Sequence, residues 1–424
     1  MSRHLNHHRV LPIWLPFLLF APAQAADLLA GVAKVTIPAS AGCELAGSKR
    51  RAVGVHDPLQ ARALVLRTAT ASLALVACDL HSFPSKRIAS EARSRLGIGL
   101  VVLACSGSHA APGIASRWPG SEVWTSEVEN AILDAIAKAN SSLFPARLGS
   151  AAVPVNLGYN WRLIDEYGKV TMLWRNPERR PTGPLVNSAA VWRIDDTAGV
   201  MRAVMFHAGC RASVRGSESL EISADYPGAA ARRVESELGG GVVSLFLQGA
   251  SGNVVPYEDE QAGDALGRKV AAAARAIAAQ AELEPSLQVY RDPMTLHARW
   301  GSRRSVAAET ATVVINRNLA LATMPGAPFV EHQIALRDRS LVPGTVLVGH
   351  AFTGNSEWLG IVPTIRGAAE GGYGASGGDT LVEAGAGEAM VDTALANIYR
   401  ALGKLDTLPR GDLVRDTPPE GKKR

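Results

Sequence analysis

The sequence is poor in cysteine. There are four in 424 residues, Cys43, Cys78, Cys105 and Cys210, and no two stand in a C-x-x-C spacing. A cysteine-rich metal site therefore has no support. The chain also lacks basic runs interleaved with aromatics, which excludes the usual footprint of a nucleic-acid binder. Lys422-Lys423-Arg424 cluster positive charge, as expected of a solvated end. The turn at 248–256 lacks the Gly-x-Ser-x-Gly nucleophile elbow, which disfavours a serine hydrolase built on it. The Gly-rich turn Gln248-Gly249-Ala250-Ser251-Gly252-Asn253 has no Gly-Lys-Ser/Thr and no helix directly behind it, so it is a weak phosphate-loop match. No internal repeat is visible, and no Ser- or Pro-rich linker divides the chain. After the first 25 residues no stretch is long and apolar enough to be a membrane-spanning candidate.

What is present is ample material for a core. Hydrophobic residues make up 47% of the chain, and mean hydropathy is +0.06. The formal charge is +5, with both signs interspersed. Arg3 and Arg9 precede an apolar stretch over 10–21, and Ala23-Gln24-Ala25 fits a small-x-small cleavage site. That stretch is shorter than the ~20 residues a spanning helix needs. Residues 1–25 therefore read as a cleavable signal peptide, which makes the mature protein periplasmic or secreted. Residues 26–405 are expected to form one domain, and 406–424 a polar, disordered tail. An oxidising compartment permits disulfides. Four cysteines allow three connectivities, and buried free thiols at Cys78 and Cys105 fit the sequence equally well.

Periodicity predicts strands over 31–38, 61–68, 72–78, 100–105, 146–155, 185–194, 200–207, 242–247, 287–291, 318–323 and 346–350. It predicts helices over 86–96, 121–143, 225–238, 259–282, 327–337 and 387–402, with a further helix between 291 and 318. Loops are expected at 39–52, 158–162 and 248–256. Hairpin-like pairs mixed with strand–helix–strand units indicate an α/β class of mixed β-sheets with covering helices.

Four motifs invite chemistry. Ser106-Gly107-Ser108-His109 follows an apolar strand; if the strand continued, Gly107 and His109 would share a face. His109 is then either an active-site side chain or a hydrogen-bonded structural one. His207-Ala208-Gly209-Cys210-Arg211 follows another strand. Arg211 cannot act as a base, so it either holds an anion, pairs with a buried carboxylate, or sits on the surface. The turn at 248–253 is the third motif. Gly371-Gly372-Tyr373 is the fourth, where the phenol either meets a substrate or packs in its loop.

The order and spacing of several pieces resemble the neutral/alkaline, non-lysosomal ceramidase family. They are Gly54-Val55-His56-Asp57-Pro58-Leu59, Ser223-Ala224-Asp225-Tyr226-Pro227-Gly228, Leu245-Phe246-Leu247-Gln248-Gly249-Ala250-Ser251-Gly252-Asn253, Met324-Pro325-Gly326-Ala327-Pro328 and Gly360-Ile361-Val362-Pro363-Thr364, followed by Gly371-Gly372-Tyr373. The resemblance runs from about Gly31 to Leu402. It implies a ceramidase-like catalytic domain and a zinc amidase, in which an open zinc position acidifies water and nearby donors hold the oxyanion.

The ligands that the resemblance assigns are two histidines, a glutamate and a tyrosine. In this chain those positions carry Gly107, Arg211, Ala327 and Ile361. Three of these side chains have no donor atom and the fourth is a cation, so the family's zinc site cannot form from them. The family's substrate-facing positions match His109, Arg162 and Tyr373. The leading expectation is therefore a non-hydrolytic binder, a pseudoenzyme for an amide-linked lipid or similar amphiphile. In it Arg211 binds a carboxylate or phosphate, with His109, Arg162 and Tyr373 holding polar groups. No cofactor is expected. Zinc would enter only through a relocated site drawn from His109, His207, His350, Asp225 and Glu331, which is the alternative of an active amide hydrolase. A periplasmic scaffold with no small ligand is the third reading.

Overall fold

The computed structural model describes residues 28–113, 118–215, 219–279, 285–300 and 304–405. The expected leader at 1–25 and tail at 406–424 lie outside the described residues. Among these, no helix is long and apolar enough to cross a membrane.

Two sheets carry the fold. The larger has nine strands, in the order Val243–Gln248, Met201–Ala208, Ser188–Asp196, Phe144–Pro154, Leu29–Ile37, Leu59–Arg67, Ser72–Cys78, Leu100–Cys105, Ala351–Phe352. Two of its pairings are parallel, Met201–Ala208 with Val243–Gln248 and Ser72–Cys78 with Leu100–Cys105. The smaller sheet runs Leu287–His297, Ser305–Ile315, Leu319–Thr323, Gly344–Val348, closing on a parallel pair.

Alternation of side chains across each strand sorts the core into layers. Leu64, Leu66, Leu75, Leu100, Val102, Trp192, Met205 and Leu245 face Leu287, Val313, Ile315, Leu321 and Val346 between the two sheets. The opposite side of the large sheet sends Val65, Val76, Val101 and Leu103 to Val128, Ile132 and Ile136 of the helix Ser121–Ser141. Val191, Val204 and Phe206 likewise meet the helices Asp225–Leu238 and Ala262–Ala276. The outer side of the small sheet packs Val314, Ala320 and Leu347 against Met390, Leu395 and Ile398 of the helix Ala386–Ala401. The result is a helix–sheet–sheet–helix sandwich, the mixed α/β class expected.

Several element predictions need correction. The segment expected to be a helix between 291 and 318 is the strand Ser305–Ile315, paired along its whole length with Leu287–His297. Its Ala- and Glu-containing start looks helical. Its end, Thr-Val-Val-Ile, is β-branched and buried on both faces, which hides the alternation that marks a strand. The helix expected over 259–282 is Ala262–Ala276, because Ile277 is already extended. Arg193 donates to the carbonyls of Ala274 and Ile277 and so closes that helix end. Ala327–Pro328 is not helical either; it pairs in parallel with Ile361–Val362, and the helix runs Val330–Arg339. The loops expected at 158–162 and 248–256 contain the short strands Gly158–Asn160 and Val254–Pro256, which pair with one another.

All four cysteines are buried free thiols. Cys78 and Cys105 stand opposite each other on neighbouring parallel strands.

Candidate functional site

Five loops meet at one end of the sandwich, and backbone hydrogen bonds fix them to one another. His350 donates from its amide to Gly326 O at 2.8 Å and accepts from Cys105 N at 3.0 Å. Gly349 N reaches Gln248 O at 2.9 Å, and Gly252 N reaches Pro328 O at 2.8 Å. Arg211 N donates to Val254 O, and His109 N to Ala212 O, both at 3.0 Å. Two sequence motifs form a brace beneath. Asp57 accepts from the Ser223 hydroxyl at 2.6 Å, the Ala224 amide at 3.0 Å and Arg232 at 3.1 Å. Burial alone would raise the Asp57 pKa; those bonds, with His56 and the Arg232 charge, hold it below the usual carboxylate value.

The strand Leu100–Cys105 ends before Gly107, whose φ of +74° turns the chain. The expected shared strand face of Gly107 and His109 is therefore wrong. A left-handed glycine, not pleat alternation, sets where His109 goes. His109 packs over Gly47, where a Cβ would stand 2.8 Å from that of His109.

Gly107, Arg211, Ala327 and Ile361 fall in one contiguous group. A Cβ on Gly107 would lie 3.0 Å from the His350 ring, and His350 is bonded through its amide to Gly326. Ala327 and Ile361 are strand partners, and both crowd Gly252. With Phe329 and Ala375 they make a small apolar cluster against which Tyr373 packs. Arg211 joins the group through the rings beside it: its guanidinium lies 5.0 Å from the Trp161 ring centroid and 6.0 Å from that of Tyr373.

His109 and Arg211 line one cleft of about 860 Å³, walled by Tyr159, Trp161, Trp174 and Tyr257. Arg162 and Tyr373, the other expected substrate-facing residues, are set back from it. Arg162 is 3% exposed and donates to Gly371 O, Gly367 O and the Glu370 carboxylate. It holds the end of the short helix Ile365–Glu370 and does not line this cleft. Tyr373 stands edge-on behind Trp161, with ring centroids 5.0 Å apart.

Sequence reasoning missed His81 and Trp358. His81 lies 5.3 Å from His109 and 5.4 Å from His350, ring to ring, and Trp358 packs on both His81 and His350. A signal existed. Two apolar strands each end in cysteine with a histidine three or four residues on, and they are parallel neighbours, so both histidines reach the same rim. His350 Nδ1 donates to His81 O at 2.9 Å, since a carbonyl can only accept; that leaves its Nε2 unprotonated, 3.5 Å from Ser251 Oγ. Burial pushes the pKa of His350 down to about 4, and that of His109 well below the usual value, with the Arg211 charge adding to the effect. These imidazoles are neutral at pH 7.

The chain superposes on neutral ceramidase from Pseudomonas aeruginosa with a TM-score of 0.72 at 17% identity, covering 90% of this chain and 75% of that one. A ceramidase complexed with C2 gives the same TM-score and identity, with 90% and 76% covered. The fold is that of neutral ceramidase. No protein-family model and no curated protein matches the sequence.

On this ceramidase fold the side chains do not fit a zinc ion at the positions the resemblance assigns. Gly107, Ala327 and Ile361 offer no donor, the His350 ring crowds Gly107, and Arg211 is a fixed cation. Nor do the expected alternatives assemble. Among the described residues no three His, Cys, Asp or Glu side chains form a metal-holding group. His207 is buried with Nε2 on Leu347 O at 2.9 Å. Asp225 accepts from the amides of Val214, Arg215 and Tyr226. Glu331 accepts from Asn253 at 2.8 Å.

Proposed function

We propose that this ceramidase-fold protein is exported through the leader at 1–25 and binds an amide-linked lipid or related amphiphile without hydrolysing it. One observation carries the reading. The positions that the resemblance assigns to zinc come together at one end of the sandwich, yet they present glycine, alanine, isoleucine and arginine beside an open aromatic cleft. Aromatic walls suit an apolar chain, and a few polar groups at one end suit a headgroup. Hydrolysis of an amide needs an activated nucleophile and a held oxyanion. The first-choice source of that nucleophile, a metal-bound water, has no ligand set here.

The test is made on the full-length protein after leader processing. Metal content is measured by mass spectrometry, turnover of N-acyl lipids is followed with and without chelator, and binding of the same lipids is measured by calorimetry. The reading predicts saturable binding with no release of fatty acid. Zinc near one equivalent together with chelator-sensitive turnover would overturn it.

A further inference from the structure

Within that reading, charge balance around Arg211 narrows the ligand. The cleft carries three arginines on its wall. Arg175 is paired with Glu258 at 3.0 Å, and Arg179 with Asp259 at 3.5 Å while it covers the Tyr257 ring. Arg211 has no carboxylate within ion-pair distance among the described residues. Its side-chain neighbours are the faces of Trp161 and Tyr373, at 5.0 Å and 6.0 Å from the ring centroids. A second donor stands beside it unused. Trp161 Nε1, on the same wall, is buried without a hydrogen-bond acceptor. A buried N–H left without an acceptor costs about 1–3 kcal/mol, so the wall is short of an acceptor at the place where it has a spare positive charge.

We propose that the cleft recognises an amphiphile through a single carboxylate, one oxygen held by the Arg211 guanidinium and the other taking the Trp161 indole N–H, which a small shift of that ring must first uncover. The hydrocarbon portion lies against Tyr159, Trp174 and Tyr257. A planar carboxylate matches the guanidinium fork. It also matches the number of free charges. A phosphate dianion would bring two negative charges to one unpaired cation, with Glu258 and Glu260 at the same wall. The carboxylate can come from a free fatty acid or from an N-acyl amino acid, the latter being itself an amide-linked lipid.

The proposal rests on the amphiphile-binding reading, and the experiment separates the two. Full-length protein is titrated by calorimetry, below micelle formation, with laurate, N-lauroylglycine, dodecanol and dodecyl phosphate. Laurate or N-lauroylglycine should bind at least tenfold more tightly than dodecanol, and whichever of the two is tighter identifies the source of the carboxylate. Arg211→Gln should remove most of that preference and leave dodecanol unchanged. Arg211→Lys should keep part of it, and Trp161→Phe should lose a smaller part than Arg211→Gln. Thermal unfolding of each variant checks that it is folded. Equal binding of laurate and dodecanol overturns the carboxylate site while leaving an amphiphile binder. Preference for dodecyl phosphate overturns it in favour of a phosphate. Failure of all four probes to bind removes the amphiphile reading and this one with it.

Discussion

Acidification should unfold this protein earlier than its carboxylates alone would dictate. His207 and His350 are 1% and 4% exposed, and burial depresses both pKa values to about 4. In an unfolded chain they return to about 6.5. The unfolded state therefore binds more protons between those values, and stability rises with pH there. Their contribution is fully present above about 6.5, falls as the pH drops, and is gone below about 4. The complete gap is worth about 3.4 kcal/mol per group. Between pH 7 and pH 5 the loss is about 2 kcal/mol each, or ~4 kcal/mol for the pair. His81 and His109, depressed by burial and by their cationic neighbours, act in the same direction. Asp57 does not confuse the window, since its pKa lies below the ordinary 3.8 and its contribution is lost only in stronger acid. Urea unfolding followed by tryptophan fluorescence at pH 7, 6 and 5 reads the slope. His207→Gln and His350→Gln should each flatten it by their share, whatever they do to absolute stability. Asp79, Asp225 and Asp292, raised by burial, act in the opposite direction, so the comparison of variants with wild type decides: a slope unchanged in both His207→Gln and His350→Gln would refute the neutral buried histidines.

Three substitutions probe the frame around the cleft. Gly107→Ala places a Cβ 3.0 Å from the His350 ring at a φ of +74°, and should cost about 1–3 kcal/mol in chemical denaturation; a neutral effect would mean that the turn relaxes freely. Arg62→Ala removes the 2.9 Å partner of buried Asp79 and should cost about 3–5 kcal/mol, part of it recovered in the Arg62→Ala/Asp79→Asn double variant. Ala327→Glu restores the residue type of the resembled family inside the apolar cluster of Phe329, Ile361 and Ala375. It should lower the melting temperature without conferring zinc binding, and tight stoichiometric zinc in that variant would contradict the fit argument.

Much of the sandwich was legible because its strands and outer helices carry clean periods. The helix Lys86–Leu96 ends at Gly97 in a left-handed cap, as its sequence indicates. The strands Ser72–Cys78 and Leu100–Cys105 and the helix Asp225–Leu238 match their predicted bounds. What failed lies where both faces are covered. Ser305–Ile315 sits between the sheet interface and the outer helix layer, so tertiary burial erases its alternation. At the site, strand ends placed His109 and Arg211 separately at rims, and only the family resemblance read them as companions. Arg162 could not be read as spent, because the carbonyls that absorb it come from 367–371, about 200 residues away. His81 was hidden by order in sequence: only the parallel pairing of its strand with Leu100–Cys105 brings it to His109.

The four substituted positions are best understood as one change rather than four. Glycine at 107 is required by the present packing, because the His350 ring occupies the space next to it and is fixed there by its bond to His81 O. Ala327 and Ile361 are strand partners, so a polar group at either would lie against the other's apolar surface and against Phe329. Arg211, where the resemblance assigns a metal ligand, is a fixed cation that rests on Trp161 and lies beside Tyr373. Each replacement is compatible with the others and hostile to the reversal of any one alone. Returning a single ligand type would bury a polar or charged side chain among groups that cannot pair with it. The apolar cluster, the histidine packing and the arginine stacked on tryptophan therefore make mutually consistent contacts around these four positions, and none of the four offers a ligand to zinc.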